Sequence, residues 1–331
     1  MKSKPNPSRR KFMLGSLAAG AGLGVFGGMS SLWRLAQAAS PDGPMVPDRN
    51  YIFCYFPGGW DILISLDPRD PDKFTPGNVA DTRILPGYNQ LNTDDLEIPV
   101  YYETDMRGEK VALGAYLGDL ATEQKYRDQI SIVRGINMET LSHDVGRRRF
   151  VTGKPPAGVQ ARGSSAATWL ASRLGPENLI PNLVVRVESF NVDQPTYASG
   201  MKFQNVSDML AALRPTDPYL GAKVDHQVDE LIRQSSRCDH AFQSAFRRAA
   251  EASRQKAVDM VASGVDKAFD FLANSGEMGA LRDRFGFAQN TNGLNSPQAR
   301  AALAAKAITS GVARCVSVSL TAGLDTHYDD W

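Results

Sequence analysis

Four short apolar runs, rich in β-branched residues, constrain the fold of this chain more than any other feature. They are YIFCYF from Tyr51, ISIVRGI from Ile130, NLVVRVES from Asn182 and ARCVSVSLT from Ala313. Strands that are buried on both faces have such near-continuous apolar runs, whereas strands with one solvated face alternate polar and apolar residues. Segments with helical spacing of apolar residues separate the runs. The sequence therefore predicts an α/β protein with a mostly parallel sheet and helices on both faces.

The helical segments have recognisable ends. The stretches LGAYLGDLATEQKYRDQ and SSAATWLASRLG have apolar residues at helical spacing, and SPQARAALAAKAITSG begins with Ser296 as a cap and Pro297 at the first helical position. A longer amphipathic region, about residues 206–285, predicts a helical insertion packed on the sheet. The roughly 55 residues after Asp61 are dense in Pro, Asp and Asn, which predicts loops with little regular structure.

The N-terminus has the features of an export signal. SRRKFML places Arg9 and Arg10 before a Gly- and Ala-rich apolar run, and Ala36-Gln37-Ala38 fits the small-x-small site of signal peptidase. Paired arginines with a weakly hydrophobic core are typical of the bacterial twin-arginine route. We therefore expect residues 1–38 to be a signal peptide, 39–50 to be a linker, and the translocase and signal peptidase to be partners. The mature protein would be periplasmic or secreted; an uncleaved signal would keep it at the inner membrane.

The charge of the chain gives no reason to expect a nucleic-acid partner. The net charge of +1 includes six basic and no acidic residues in positions 1–38, and the remainder has 31 basic and 36 acidic residues. Nucleic-acid binding requires a basic surface.

The three cysteines are too few and scattered for a disulfide framework. Cys54 and Cys315 lie in apolar runs, where cysteine usually acts as a small buried side chain, and a bridge between them would require neighbouring strands.

Polar residues follow several of the predicted strands. Ligands of open parallel sheets gather at the carboxyl ends of the strands. Asp61 follows the first run, His143 and Asp144 follow the second, and the last is followed by Asp325-Thr326-His327. Carboxylates and imidazoles suit a divalent ion such as Zn²⁺ or Mn²⁺. The alternative is that these aspartates form turns or cap helices.

A basic run, Arg147-Arg148-Arg149, follows the second predicted strand. Guanidinium groups bind phosphate or sulfate through paired hydrogen bonds, so this run is a candidate substrate clamp. A solvated basic face is the alternative. The sequence has no Gly-rich nucleotide loop, Gly-x-Ser-x-Gly elbow or CxxC pair.

Together, the twin arginines, FPGGWD, SHDVGRRRFVTG and VSVSLTAGLDTH resemble bacterial proteins of the domain of unknown function 1501 family. That family is similar to exported members of the alkaline phosphatase/sulfatase superfamily. The resemblance covers the chain from about Tyr51 to Trp331 and implies an α/β/α sandwich with one or two metal ions at the strand ends. It implies Asp61, Asp325 and His327 as metal ligands, with Zn, Mn, Ca or Mg as the candidate ions.

The resemblance also implies a nucleophile near the start of SHDVG, where Ser142 and His143 compete for the position. Ser142 would attack a phosphate or sulfate ester, and Arg147, Arg148 and Arg149 would hold its anionic oxygens. Members of the family continue past the Asp-x-His pair to further ligands, so we expect the chain to be truncated at its C-terminus. The alternative function is a non-catalytic cell-envelope scaffold that uses the helical region 206–285 to bind partners.

Overall fold

The computed structural model describes the chain in part. The described residues are 49–60, 62, 65–68, 75–82, 100–104, 110–114, 117–158, 160–214, 221–236, 251, 254–255, 257–258, 260, 263–321 and 323–324. The chain divides into two compact units. The first unit comprises Met1–Tyr55 and Arg147–Leu320, and the second comprises Phe56–Gly146 and Thr321–Trp331.

Six strands and eleven α-helices occur within the described residues. In chain order they are β1 Tyr51–Tyr55, α1 Val79–Thr82, β2 Val100–Thr104, β3 Lys110–Leu113, α2 Asp119–Thr122, α3 Gln124–Arg127, α4 His143–Thr152, α5 Ala166–Leu174, β4 Ile180–Val185, β5 Met201–Phe203, α6 Val206–Leu213, α7 Ala222–Ser236, α8 Val265–Ala268, α9 Gly276–Phe285, α10 Thr291–Leu294, α11 Pro297–Thr309 and β6 Ala313–Ser319. The predicted α/β class is confirmed.

The first unit is built around a four-stranded parallel sheet with the order β1-β6-β4-β5. The strand that comes last in the sequence, β6, therefore lies between β1 and β4. Its register is continuous on both sides, with Tyr55 opposite Ser319 and Val185 opposite Val318. Because all four strands are parallel, their carboxyl ends lie at one edge of the sheet.

Helices cover both faces of this sheet, as the non-alternating apolar runs predicted. On one face, α11 packs against β6, α6 packs against β5, and α9 packs on α11. With strand residues such as Leu183 and Val316, these helices enclose the larger hydrophobic core. On the other face, Ala167 and Ala171 of α5 pack near Cys315 of β6. All six residues of β4 are buried. Burying a Val or Leu side chain contributes roughly 1.5–3 kcal/mol, so the two-sided burial is the main stabilisation of the sheet.

Local helix signals account for the helix that leads into β6. The hydroxyl of Ser296 accepts a hydrogen bond from the Ala299 backbone N–H at 3.1 Å, and Pro297 is the first helical residue. Both features were predicted from the sequence. By contrast, Ser165 precedes α5 without capping it, because its hydroxyl accepts a hydrogen bond from the Phe190 N–H at 2.9 Å.

The described parts of the region 206–285 are mainly helical, comprising α6, α7, α8 and α9. Both ends of this region belong to the larger core of the sheet. Met209 and Leu213 of α6 are buried in it, and so are Phe269 and Phe271 near α8. The ends of the helical region thus stabilise the sheet directly.

Two predictions of local structure are wrong. The run ISIVRGI forms no strand; Val133 and Ile136 are 76% and 67% exposed, and Gly135 adopts a left-handed φ of 77° that interrupts an extended backbone. The region predicted to lack regular structure contains an antiparallel pair, β2 and β3, in the second unit. Arg134, which belongs to the run ISIVRGI, lies in the same unit. It donates hydrogen bonds to the Leu66 and Ala112 carbonyls and forms an ion pair with the Asp67 carboxylate.

β1 and β6 are neighbours, yet Cys54 and Cys315 are free thiols. The register places Cys315 opposite Tyr51 and Cys54 opposite Val318. Side chains alternate along a strand, so an offset of three residues puts the two thiols on opposite faces of the sheet. A bridge between them is excluded by this geometry.

Candidate functional site

The segments that follow β1 and β6 run side by side. At the edge of the sheet, the Leu320 N–H donates to the Tyr55 carbonyl at 3.2 Å. Further on, in the second unit, the Leu324 N–H donates to the Pro57 carbonyl at 2.7 Å. Each of the two hydrogen bonds, one in each unit, brings together residues that are far apart in the sequence.

These two segments lead into the predicted metal ligands. Asp325 directly follows Leu324, and Asp61 follows Trp60, whose ring packs on Phe56 with centroids 4.9 Å apart. Asp61, Asp325 and His327 themselves lie outside the described residues. Two carboxylates and an imidazole form a suitable donor set for Zn²⁺ or Mn²⁺, and the pairing of Pro57 with Leu324 fits a shared site. Within the described residues, no group of three His, Cys, Asp or Glu side chains could bind a metal.

Ser142 occupies the position directly before α4. Its carbonyl accepts the first helical hydrogen bond, from the Gly146 N–H at 2.9 Å, and its side chain is exposed. In the described part of the chain, no other residue forms a hydrogen bond with the Ser142 hydroxyl. The N-terminus of a helix carries a partial positive charge that favours negative charge nearby. A hydroxyl at this position is therefore exposed and close to groups that stabilise an anion.

The loop before Ser142 is fixed by local hydrogen bonds. The Asn137 side-chain oxygen accepts from the Glu139 N–H at 2.8 Å, and the Thr140 hydroxyl accepts from the Ser142 N–H at 3.0 Å. Glu139 has a left-handed φ of 54°, which is uncommon for a residue other than glycine. The backbone at Ser142 is therefore held in one conformation by its own neighbours.

Arg147 and Arg148, predicted as substrate ligands, bind a carboxylate of the chain. Arg147 donates to Glu188 through Nε at 3.1 Å and Nη2 at 3.3 Å, and Arg148 donates through Nη2 at 3.3 Å. The Glu188 carboxylate is thus shared by two guanidinium groups that are both partly buried. Such paired, charge-assisted hydrogen bonds orient a guanidinium strongly.

This arrangement places the second half of α4 at the carboxyl edge of the sheet. Glu188 lies just beyond Val185, the last residue of β4, and the ring of Phe150 packs on Tyr55, the last residue of β1, with centroids 5.5 Å apart. Of the other candidates on α4, Arg149 is half-buried, and His143 and Asp144 are exposed in the first turn. Arg147 and Arg148 therefore belong to a partly buried ion-pair network, and the basic run is not a solvated face.

Glu188 was not anticipated from the sequence. The relevant signal was the same one that selected Asp61 and Asp325, a polar residue following a buried strand. In NLVVRVES, the apolar Val187 follows Arg186, so the predicted strand extends to the end of the run. The pattern therefore places Glu188 within the strand and not after it. The left-handed φ of Arg186, 55°, ends the strand early and turns Glu188 towards α4.

No family model, curated protein or solved structure matches this chain. None of the described helices is long and apolar enough to cross a membrane. The signal residues Arg9, Arg10 and Ala38 lie outside the described residues.

Proposed function

We propose that the chain is an exported, metal-dependent hydrolase of phosphate or sulfate esters, of the alkaline phosphatase/sulfatase type that its sequence resembles. One observation supports this most strongly. The segments leading to Asp61 and to Asp325 and His327 follow two adjacent parallel strands and are joined by the Leu324–Pro57 hydrogen bond. Ligands of one metal ion would need this kind of convergence from distant parts of the sequence.

Ser142 is the proposed nucleophile. Its hydroxyl oxygen would attack the phosphorus or sulfur of the ester, the bond to the alcohol oxygen would break, and the alcohol would leave with a proton. Water would then release phosphate or sulfate from the serine. The partial positive charge at the start of α4 favours the ionised serine. His143, the neighbouring exposed imidazole, is the alternative nucleophile, and separate substitutions distinguish the two.

Asp61, Asp325 and His327 are the proposed ligands of a divalent ion, with Zn, Mn, Ca or Mg as candidates. When bound, such an ion supplies Lewis-acid polarisation of the ester oxygens. Arg147, Arg148 and Arg149 are proposed to stabilise the anionic oxygens of the substrate, with Glu188 orienting the first two.

Export by the twin-arginine route is part of the proposal. Arg9 and Arg10 would be read by the translocase, and signal peptidase would cleave after Ala38. Replacing both arginines with lysine should leave the precursor in the cytoplasm, whereas replacing Lys2 and Lys4 with arginine should not. Periplasmic recovery of the double-lysine variant at the wild-type level would contradict this route.

The enzymatic proposal is tested on the purified exported protein. We expect Zn, Mn, Ca or Mg to co-purify in a defined ratio to protein, and aryl phosphate or aryl sulfate to be hydrolysed. D61N and D325N should lose metal and activity while keeping the wild-type circular dichroism spectrum; D128N, at an exposed carboxylate, should keep both. A protein that contains no metal and hydrolyses neither ester class would contradict the proposal.

A second candidate function, a binding scaffold, is favoured by the surface of α7. Val224, Val228 and Leu231 are 39%, 42% and 64% exposed and recur at the spacing that places residues on one side of a helix. In this case the triple substitution V224S/V228S/L231S should abolish binding of cell-envelope partners, while D61N and D325N should not affect it. Retention of partners by the triple variant would exclude α7 as the binding surface.

A further inference from the structure

The largest side chain that is fully buried among the described residues is a cation. Arg300 lies on α11, inside the first unit, and is only 1% exposed. Charged side chains are rarely buried unless they are paired, because moving a charge out of water is unfavourable. The environment of Arg300 therefore requires an explanation that the proposed ester hydrolase site, built on Ser142 and Asp61, does not provide.

Two backbone carbonyls orient the Arg300 guanidinium. Its Nε donates to the Ser319 carbonyl at 2.7 Å, and its Nη1 donates to the Asn295 carbonyl at 3.0 Å. Ser319 is the last residue of β6, so the guanidinium is held at the carboxyl end of the central strand. Both partners are neutral, and within the described residues no carboxylate forms an ion pair with Arg300.

A second arginine, Arg186, lies at the same end of the sheet and acts on Arg300 through its charge. Arg186 directly follows β4, and the pairing of Val185 with Val318 places Arg186 level with Ser319 on the adjacent strand. Burial, and secondarily the positive charge of Arg186, lowers the pKa of Arg300 below its usual value. A nearby like charge disfavours the charged form of each guanidinium, and a bound anion would offset this repulsion.

The backbone holds Arg186 in this position. Its φ of 55° lies in the left-handed region, which an arginine adopts rarely, and its N–H donates to the Phe203 carbonyl of β5 at 3.0 Å. Its side chain is exposed. One arginine is thus buried and fixed, and the other is accessible to solvent, at the same edge of the same sheet.

We infer that Arg186 and Arg300 form an anion-binding site at the carboxyl ends of β4 and β6, and that its ligand is a tetrahedral oxyanion of the phosphate or sulfate class. Guanidinium groups offer several N–H donors in a plane, which match the oxygens of such an anion. The carboxyl edge of a parallel sheet is also where ligands of this fold class bind. The site is distinct from the Arg147–Glu188 network, in which two guanidinium groups share one carboxylate of the chain.

Calorimetric titration of the full-length protein with inorganic phosphate, sulfate, phenyl phosphate and acetate tests the inference. We expect saturable binding of phosphate or sulfate and at least about tenfold weaker binding of acetate, which has only two oxygens. R186Q should weaken phosphate binding by about tenfold or more, and R300K should do so to a lesser extent. R284Q, at an exposed arginine of α9, is the matched control and should bind as the wild type does.

The outcome is independent of the proposed hydrolase activity. Phosphate binding that is lost in R186Q but kept in D61N and S142A would support a separate site. The inference is overturned if the wild type shows no saturable binding of phosphate or sulfate, or if R186Q binds phosphate as tightly as R284Q. It is also overturned if acetate binds as well as phosphate. Because Arg186 is exposed, R186Q should fold, and circular dichroism of each variant verifies this.

Discussion

Glu188 accepts two hydrogen bonds from the Arg147 guanidinium, at 3.1 and 3.3 Å, and so connects the segment after β4 to α4. Arg148 binds the same carboxylate at 3.3 Å. A helix that contributes candidate catalytic residues is therefore anchored to the sheet by charge-assisted hydrogen bonds. The strength of this anchor can be measured.

Replacing Glu188 with glutamine should destabilise the protein. The substitution keeps the size of the side chain but removes the negative charge between two partly buried guanidinium groups, so we expect a loss of about 1 kcal/mol in the free energy of unfolding. The matched control is E123Q, which removes an ion pair with Lys125 in which the two side chains are 51% and 64% exposed. Urea unfolding should show a change within about 0.5 kcal/mol for E123Q. Equal midpoints for E188Q and the wild type would show that the network contributes nothing.

Replacing Ser142 with alanine tests the nucleophile. If Ser142 attacks the ester, kcat on aryl phosphate or sulfate should fall by about 10³-fold or more, with the thermal midpoint close to that of the wild type. H143A should retain more activity than S142A. S131A, at another exposed serine of the second unit, serves as the control and should be fully active. Retention of activity in S142A together with its loss in H143A would transfer the role to the imidazole.

The cap of α11 makes a separate contribution to stability. S296A removes the hydroxyl that accepts from the Ala299 N–H, and loss of such a cap costs about 1 kcal/mol. S131A is again a suitable comparison, since no described residue hydrogen-bonds its hydroxyl. Chemical denaturation should give S296A a free energy of unfolding about 1 kcal/mol lower than that of S131A. A smaller effect than in S131A would mean that Pro297 alone fixes the start of the helix.

Cys315 predicts a dependence of stability on alkaline pH. Burial raises the pKa of the Cys315 thiol from 9.0 to about 12. The unfolded chain therefore loses this proton at a lower pH than the folded chain. The stabilisation that the protonated Cys315 thiol contributes to the folded state is complete below about pH 9 and is lost as the pH rises from about 9 to 12.

The variant C315A lacks the ionisable thiol and isolates this contribution. Between about pH 9 and 11, the free energy of unfolding of the wild type should decrease more steeply than that of C315A, when both are measured by urea titration. C54A is the control: burial also raises the pKa of the Cys54 thiol, but Cys54 is more exposed than Cys315 and should affect the slope less. Parallel slopes for the wild type and C315A would contradict the prediction.

The sequence predicted those parts of the fold that depend on local signals. Ser296 and Pro297 define the start of α11 by their own chemistry, and the apolar run from Ala313 predicted β6. The prediction that ISIVRGI forms a strand is wrong, because a strand requires a pairing partner as well as β-branched residues. The left-handed φ of Gly135 also interrupts an extended backbone. The β2–β3 pair was missed because Pro, Asp and Asn dominate the surrounding residues.

The candidate site was predictable only in part. Polar residues after strands selected Asp61 and Asp325 as candidates, which stay predictions, whereas the adjacency of β1 and β6 depends on long-range packing that no local pattern encodes. Glu188 and Arg300 were missed for the same reason. An arginine in the middle of a helix such as α11 resembles a surface residue in the sequence, and only the packed structure shows that Arg300 is buried.

The position of β6 between β1 and β4 has a consequence for synthesis. β1 leaves the ribosome early, but within the described residues its only strand partner is β6, whose residues 313–319 follow more than 250 residues later. Pairing over such a separation is slow, because closing a long loop costs entropy before any contact forms. The nascent chain therefore lacks the partner strand of β1 until residues 313–319 have been synthesised. Pairing of β1 must wait until β6 has been synthesised, and a chaperone that covers β1 until then would protect the chain from aggregation.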